Sequence, residues 1–332
     1  MVRDTVRDLF QKHCPPAAVR AAWSDPSGRV PGLWPSLAEL GITGLTVPEE
    51  HGGLNLGELD LVLVLEEAGR AAAPEPLVET IAVGAPLLRE VGTPALREAW
   101  LGRVASGEAV LAVGLEGAAQ VAFAGEADLL LFQRGDELHA LPRGEVGLTA
   151  QPSVDGARRL FSVTWTPGYR TRFAAGPEAM RAAALAFDRG ALASAAELCG
   201  LGRRMLDLTV EYAKVRHQFG KPIGSFQAVK HHLANALVKL ELARPLVYRA
   251  ACSLAGLDAD RSLHVSMAKS HASDAALVVA RAALQCHGAI GYTVEYDLHL
   301  WMKRAWALAA AWGSAGWHRE RLGAAILDAG GG

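Results

Sequence analysis

RHQFGKPIGSFQAVKHHLAN, running from Arg216 to Asn235, sets a guanidinium, an aromatic ring and an amide directly ahead of a helical pattern. Phe226, Val229, Leu233, Leu237 and Leu240 step by three or four and put one apolar stripe on one face, with Lys230, Asn235, Lys239 and Glu241 off it. The polar group in front has its own chemistry. A guanidinium fork matches pyrophosphate oxygens in bidentate geometry, a flat side chain covers a ring, and an amide donates and accepts at a heterocycle edge, as a dinucleotide ligand requires. Arg216, Phe219 and Gln227 are the leading candidates, with Gln218 and Phe226 beside them. Arg-x-x-Phe-Gly alone reads more often as a loop capping the next helix, so the assignment rests on the rest of the chain.

Two further stretches agree with it. LAELGITGLTVPEEHGGLNLGELDLVLVLEEAGR, Leu37 to Arg70, reads as an extended segment ending at Val47-Pro48-Glu49-Glu50, a tight turn at His51-Gly52-Gly53, and an amphipathic helix. LQCHGAIGYTVEYDLHLWMKRA, Leu284 to Ala305, carries a glycine-rich turn in which Gly288 and Gly291 let backbone approach a ligand, and Gln285 and His287 offer polar contacts. With the Arg216 stretch, in this order and spacing, the chain resembles the acyl-CoA dehydrogenase superfamily over most of its length. The resemblance implies an FAD cofactor, an acyl-CoA substrate and the family fold. It also implies that Arg216, Gln218, Phe219, Phe226, Gln227, Gln285, His287 and Gly288 are flavin contacts, several of them made to a neighbouring subunit's FAD.

Composition fits a helical enzyme subunit. The chain has 332 residues, 51% of them hydrophobic, enough for two or three domains and a sizeable core. Lys and Arg number 33 against 35 Asp and Glu, a formal net charge of -2, so no basic excess recruits nucleic acid or an anionic membrane. Cys14, Cys199, Cys252 and Cys286 are scattered without metal-ligand spacing and read as reduced thiols, and no metal site is expected. MVRDTVRDLF lacks the apolar centre of a secretory signal, and no apolar run reaches the roughly 20 residues that cross a bilayer. The expectation is a cytoplasmic protein.

The texture changes twice along the chain. Residues 1–107 read as helices joined by Pro and Gly loops; residues 108–175 contain short runs such as AVLAVGL, DLLLF and LFSVTW that read as strands; helical periodicity returns over 176–332. The expected fold is mostly α with a small β middle domain: an N-terminal helical domain, a truncated β-domain and a C-terminal four-helix bundle. Trp301 and Trp312 lie eleven residues apart, as do Trp306 and Trp317, so a continuous helix would carry two aromatic stripes, in the core or at a subunit interface.

Two family features are missing. Members open their β-domain with Thr-Glu-Pro and Gly-Ser-Asp segments that cradle the flavin ring system and thioester, whereas LAVGLEGAAQVAFAGEADLLLF, Leu111 to Phe132, contains neither. The family reaction also needs a carboxylate to take the proton α to the thioester carbonyl. The two places where members carry that Glu fall on Gly313 and Gly190. Asp188, Glu197 and Glu320 lie nearby and read as helix caps or solvated charges. No catalytic residue is therefore assigned. The resemblance is to the short, Glu-less, non-catalytic subunit of actinobacterial α2β2 steroid-CoA dehydrogenases, which implies a homologous catalytic partner and an electron-transferring flavoprotein as acceptor. Two other readings stay open: a self-sufficient homo-oligomeric dehydrogenase with a displaced base, and a flavin-free acyl-CoA binding or regulatory protein.

Overall fold

The computed structural model describes residues 2–329. Helices come first: α1 Val2–His13, α2 Pro16–Ser24, α3 Leu33–Glu39, α4 Glu58–Ala71, α5 Ala85–Val91 and α6 Pro94–Ala105. A π-helical turn, Val78–Gly84, leads into α5, and all seven of its residues are buried. Thr93 caps α6 by accepting from the Leu96 amide at 3.2 Å, with Pro94 following it. The strands follow: β1 Leu111–Gly114, β2 Val121–Ala122, β3 Leu129–Arg134, β4 Glu137–Pro142, β5 Gly147–Gln151, β6 Leu160–Thr164 and β7 Arg172–Ala175. The rest is helical: α7 Gly176–Val215, a small hairpin of β8 His217–Gln218 and β9 Lys221–Pro222, then α8 Gln227–Ala255, α9 Arg261–His287, α10 Leu298–Ala310 and α11 Ala315–Ala329. The expected mostly-α chain with a small β middle domain is what is found. The segment before Val47, read as extended, is instead a succession of turns that closes on the 3-10 turn Glu49–His51.

The chain folds as two compact units. One comprises 18–61 and 74–193, the other 1–17, 62–73 and 194–332. In the first unit β1, β3, β4 and β7 form one sheet in that order, β1 parallel to β3 and the remainder antiparallel, while β2, β6 and β5 form a second. β3 runs as Leu129-Leu130-Leu131-Phe132, all buried, because an inner strand covered on both faces has no solvent side on which to alternate. Local ties close the helical part of this unit onto its loops. The Trp34 indole donates to the Gly107 carbonyl at 3.0 Å, Thr43 to that of Ala105 at 2.8 Å, and the Arg29 guanidinium to the buried Glu75 carboxylate at 2.7 Å.

The second unit is built around an approach of α4 and α7 that only glycines allow. A Cβ on Gly200 would lie 1.8 Å from the Glu66 carbonyl oxygen, and one on Gly69 would lie 2.1 Å from that of Glu197. Backbone therefore meets backbone at both positions. Residues on either side of the contact are forced into the interior, among them Glu66 and Glu67. Glu67 takes a bidentate grip from Arg7 at 2.9 and 2.7 Å and a further bond from Arg3 at 2.7 Å. Glu66 accepts from Tyr248 at 2.5 Å and pairs with Arg244 at 3.0 Å, so two adjacent carboxylates tie α1 on one side and α8 on the other to α4. Desolvation works against ionised Glu67, but the two guanidiniums win and hold its carboxyl below the usual carboxylate range.

α8 and α9 then pack as an antiparallel hairpin. Its seam is made of small side chains: Ala236, Leu240, Ala243 and Val247 on α8, and Ala268, Ala272, Ala276 and Ala283 on α9, all buried. The stripe expected on α8 is only partly the one observed, since Leu237 is 39% exposed and the burial shifts to Ala236, one position earlier. Small residues let the helices come close enough for Ala236 to fill the seam, leaving Leu237, Val238 and Leu242 outside. A second correction concerns the tryptophans. The helix breaks between Ala310 and Ala315, so the eleven-residue spacings produce no stripes. Trp301 goes into the core, whereas Trp306 and Trp317 lie on the surface.

The Gly69 and Gly200 contact is testable in isolation. Gly200→Ala should lower stability by about 3 kcal/mol or more, since backbone must move to admit the methyl group. Gly323→Ala in α11, where nothing lies within 4 Å of the added Cβ, should instead raise it by up to about 1 kcal/mol. Urea unfolding midpoints of the two variants give the comparison.

Candidate functional site

α7 stops at Val215, and the next residues are organised by backbone bonds. The Arg216 amide donates to the Tyr212 carbonyl at 2.9 Å and the Ile223 amide donates to the Arg216 carbonyl at 2.8 Å, closing a loop around the β8–β9 hairpin. His217 pairs with Pro222 and Gln218 with Lys221, leaving Phe219-Gly220 as a two-residue turn with φ of 53° and 76°. Both torsions are left-handed, as the twist of a two-residue hairpin demands. For glycine this costs nothing; for phenylalanine it costs on the order of 1–2 kcal/mol. The strained Phe219 is also 90% exposed. Its ring meets the ring of Phe226 edge-on, at 6.1 Å between centroids, and the Lys221 ammonium sits 4.5 Å over Phe226. Phe226 occupies the N-cap of α8 and has no side-chain acceptor, so the first-turn amides of α8 keep their open anion-binding face next to exposed Gln227 and Arg216.

The end of α9 stands at the same end of the helical hairpin. Gly288 terminates it at φ 67°, ψ -143°, a conformation essentially reserved for glycine, and a Cβ there would meet nothing within 4 Å. Gln285 is exposed. His287 is buried and fully engaged: Nδ1 faces the Ala283 carbonyl at 2.8 Å, so it carries the proton, and Nε2 accepts from the Tyr296 hydroxyl at 3.0 Å. Its ring stacks on Tyr212 at 4.4 Å. Because the Tyr212 carbonyl also holds Arg216, the Tyr212, His287 and Tyr296 cluster links the two groups of sequence-selected residues. The sequence reading did not single out either tyrosine. Arg216, Gln218, Phe219, Phe226 and Gln227 thus share one exposed site, Gln285 and Gly288 face solvent near it, and His287 stands behind them as a strut.

Of the two positions where a base was sought, one is buried and the other is closed to a side chain. Gly190 is buried within α7. Gly313 lies in the break between α10 and α11 at φ 87°, following Trp312 at φ 54°. A Cβ on Gly313 would sit 2.8 Å from His318 Nε2 and 2.9 Å from the Trp317 ring. The carbonyls of this turn are held as well. His318 Nε2 donates to the Trp312 carbonyl at 2.9 Å, and buried Lys269 donates to the carbonyls of Gly313 at 3.0 Å and Ala309 at 3.1 Å. Of the nearby acids, Glu320 is exposed, as expected. Asp188 and Glu197 are not the caps or solvated charges they were read as: both lie inside α7 and both are buried, at 1% and 6% exposure. The long helix has no terminus near them. Among the described residues no cluster of three His, Cys, Asp or Glu side chains is placed to hold a metal ion, and no helix is long and apolar enough to cross a membrane.

Comparison with known proteins now bears on this geometry. The acyl-CoA dehydrogenase N-terminal domain family matches residues 1–108, and the acyl-CoA dehydrogenase C-terminal domain family matches residues 179–327. Over 332 residues, 98% of both chains, the sequence is 37% identical to the acyl-CoA dehydrogenase IpdE2 of Mycolicibacterium smegmatis. The chain belongs to the acyl-CoA dehydrogenase family. It is also 37% identical to IpdE2 of Mycobacterium tuberculosis over 92% of this chain and 90% of that one. Among solved structures, the Tcur3481-Tcur3483 steroid ACAD G363A variant superposes with a TM-score of 0.90 at 26% identity, covering 100% of this chain and 98% of that one. The ChsE4-ChsE5 complex of Mycobacterium tuberculosis gives 0.88 at 25% identity, covering 98% and 96%. The similarity to steroid-type heteromeric members is thus one of sequence and of fold.

The buried histidine gives the chain a pH signature. Burial, slightly opposed by the bond to Ala283, holds His287 below its ordinary value of 6.5. Below about pH 6.5 the unfolded chain therefore takes up a proton that the folded chain refuses, so this contribution to stability is complete above that pH and is lost as pH falls. His139, buried in β4, is shifted in the same direction for the same leading reason. The melting temperature should fall between about pH 7 and pH 5, and His287→Gln should flatten that slope. A scanning calorimetry series in buffers of matched ionic strength measures it.

Proposed function

We propose that this chain is the non-catalytic subunit of a heteromeric, FAD-dependent acyl-CoA dehydrogenase. In this reading it contributes cofactor contacts across an interface, while a homologous partner supplies the catalytic base. The observation that carries the reading is a contrast within one helical unit. The residues suited to a dinucleotide are held out to solvent, with Phe219 strained to stay there, while the turn where members of the family place a base is sealed by His318, Trp317 and Lys269. A chain acting alone gains nothing from an exposed, strained phenylalanine. A chain that covers a neighbour's cofactor with it does.

The residues present fit FAD in chemical terms. Arg216 offers a fork for a pyrophosphate beside the open amides of α8, Phe219 offers a flat apolar cover, and Gln227 and Gln285 offer amides for a heterocycle edge. Gly288 leaves its backbone approachable. Bound flavin supplies the hydride acceptor for α,β-dehydrogenation of an acyl-CoA thioester; this chain's residues bind and orient it and exclude water from one side. Exposed apolar residues also follow the end of α9, Ile290, Tyr292 and Val294, a surface suited to a partner subunit. The steroid-type neighbours support a sterol-derived acyl-CoA as substrate; an electron-transferring flavoprotein as acceptor and a cytoplasmic location belong to the same proposal.

Flavin content provides the test. The chain expressed alone should be colourless and inactive with short, long and sterol-derived CoA thioesters, and should turn yellow only when coexpressed with its catalytic partner. In that complex Arg216→Ala removes a charge-assisted pair, an effect of about 1.5–3 kcal/mol, and Arg216→Lys keeps the charge but loses the fork. FAD affinity should rank wild type, then Lys, then Ala. An active, yellow protein made alone would contradict the proposal.

A second expectation follows from the sealed turn. Gly313→Glu should yield no dehydrogenase activity in the isolated chain, because the new side chain starts from a left-handed backbone against His318. Removal of the partner's base should abolish turnover of the complex. Steady-state dye reduction reports both. Survival of activity in the second case, with its loss on Asp188→Asn or Glu197→Gln here, would reverse the roles.

A further inference from the structure

Beyond the cofactor surface, the second unit holds a cavity of about 320 Å³ whose wall is unusually rich in arginine. Arg7 and Gln11 come from α1, Arg70 from α4, Arg204 from α7 and Trp301 from α10, with Phe10 and Pro15 as apolar wall. None of them belongs to the set assigned to flavin.

The glycine contact explains why these charges meet. With α4 and α7 touching at Gly69 and Gly200, the next residue of α4 and the residue one turn along α7 are brought side by side, and these are Arg70 and Arg204. The surrounding carboxylates do not balance them. Glu67, the acid in the wall, is already gripped by Arg7 and Arg3. Asp207 is taken by Arg70 at 2.6 Å and by Arg203 at 3.1 Å. That leaves Arg204. Half-buried, it lies with its guanidinium carbon 5.5 Å over the Trp301 ring, and among the described residues no carboxylate is within ion-pair distance of it. Trp301 is itself fixed, its indole donating to the Arg70 carbonyl at 2.9 Å. Burial, and then the charge on Arg70, depress the Arg204 guanidinium below its ordinary value, outweighing the opposing pull of Asp207 and Asp297.

We propose that this cavity binds a small organic acid, its carboxylate or phosphate group bonded to the fork of Arg204 with Gln11 as a neutral second contact, and its body against Phe10 and Pro15. The volume suits such a ligand and excludes a macromolecule. A guanidinium held over an indole, with no carboxylate on its fork, keeps its donors available for bidentate capture of an oxyanion. The ligand also supplies the negative charge that the protein withholds. Because the wall joins α1 to α4, α7 and α10, occupancy ties the N-terminal helix to the helical unit, which makes stability a direct readout.

The test is calorimetric titration and thermal shift of the full chain at constant ionic strength, with inorganic phosphate, benzoate and phenyl phosphate as probes. Saturable binding of at least one probe is expected, weakened about tenfold or more by Arg204→Gln, less by Arg204→Lys, and unchanged by Arg203→Gln. Tighter binding of phenyl phosphate than of benzoate identifies a phosphate as the natural head group, and the reverse order identifies a carboxylate. Absence of saturable binding by all three probes overturns the proposal. So does equal binding by wild type and Arg204→Gln, with circular dichroism confirming that the variant is folded.

Discussion

The approach of α4 to α7 at Gly69 and Gly200 is the constraint on which the second unit rests. A Cβ at Gly200 would be 1.8 Å from a carbonyl oxygen, so the spacing of the two helices is set by main chain rather than by side-chain packing. Everything flanking that contact loses access to water. Glu66 and Glu67 go inside and must find cations, and the arginines of α1 and α8 are drawn in to meet them. Breaking such a pair from one side leaves a buried charge, which costs several times what an exposed ion pair contributes. One steric event thus commits three helices to fixed positions and determines which arginines remain without a partner.

Much of this was readable in the chain, and what was not has a physical reason. The helix after the Arg216 stretch and the strand runs around Leu111, Leu129 and Leu160 appear where local pattern put them, because each encodes its structure over a few neighbouring residues. The failures are tertiary. Glu66 and Glu67 look like the polar side of an amphipathic helix until Gly200, far along the chain, closes over them, and the Arg70–Asp207 pair beside them spans 137 positions. Leu237 fits a helical stripe by spacing, yet the seam takes Ala236 because α9 comes close enough to need a methyl group there. Asp188 and Glu197 look like cap residues only if α7 is short; it is 40 residues long.

The candidate site was drawn from the sequence as a set of residues, not as an arrangement. Sequence placed Arg216, Phe219, Gln227, Gln285, His287 and Gly288 together by resemblance. Only the structure separates those held in solvent from His287, whose two nitrogens are both occupied. Tyr212 and Tyr296 organise the two halves and carry no local signal, since an aromatic residue on a helix has many ordinary uses.

Lys269 gives the turn after α10 a further meaning. A buried ammonium that bonds the carbonyls of Ala309 and Gly313 clamps the negative end of a helix, where a cation is favoured by the helix dipole. The conformation it clamps is one in which position 313 can bear only hydrogen. A side chain introduced at 313 would start against Trp317 and His318, so the turn and these two rings would have to change together to admit it. The turn is thus a fixed joint, pinned to α9 through its own carbonyls.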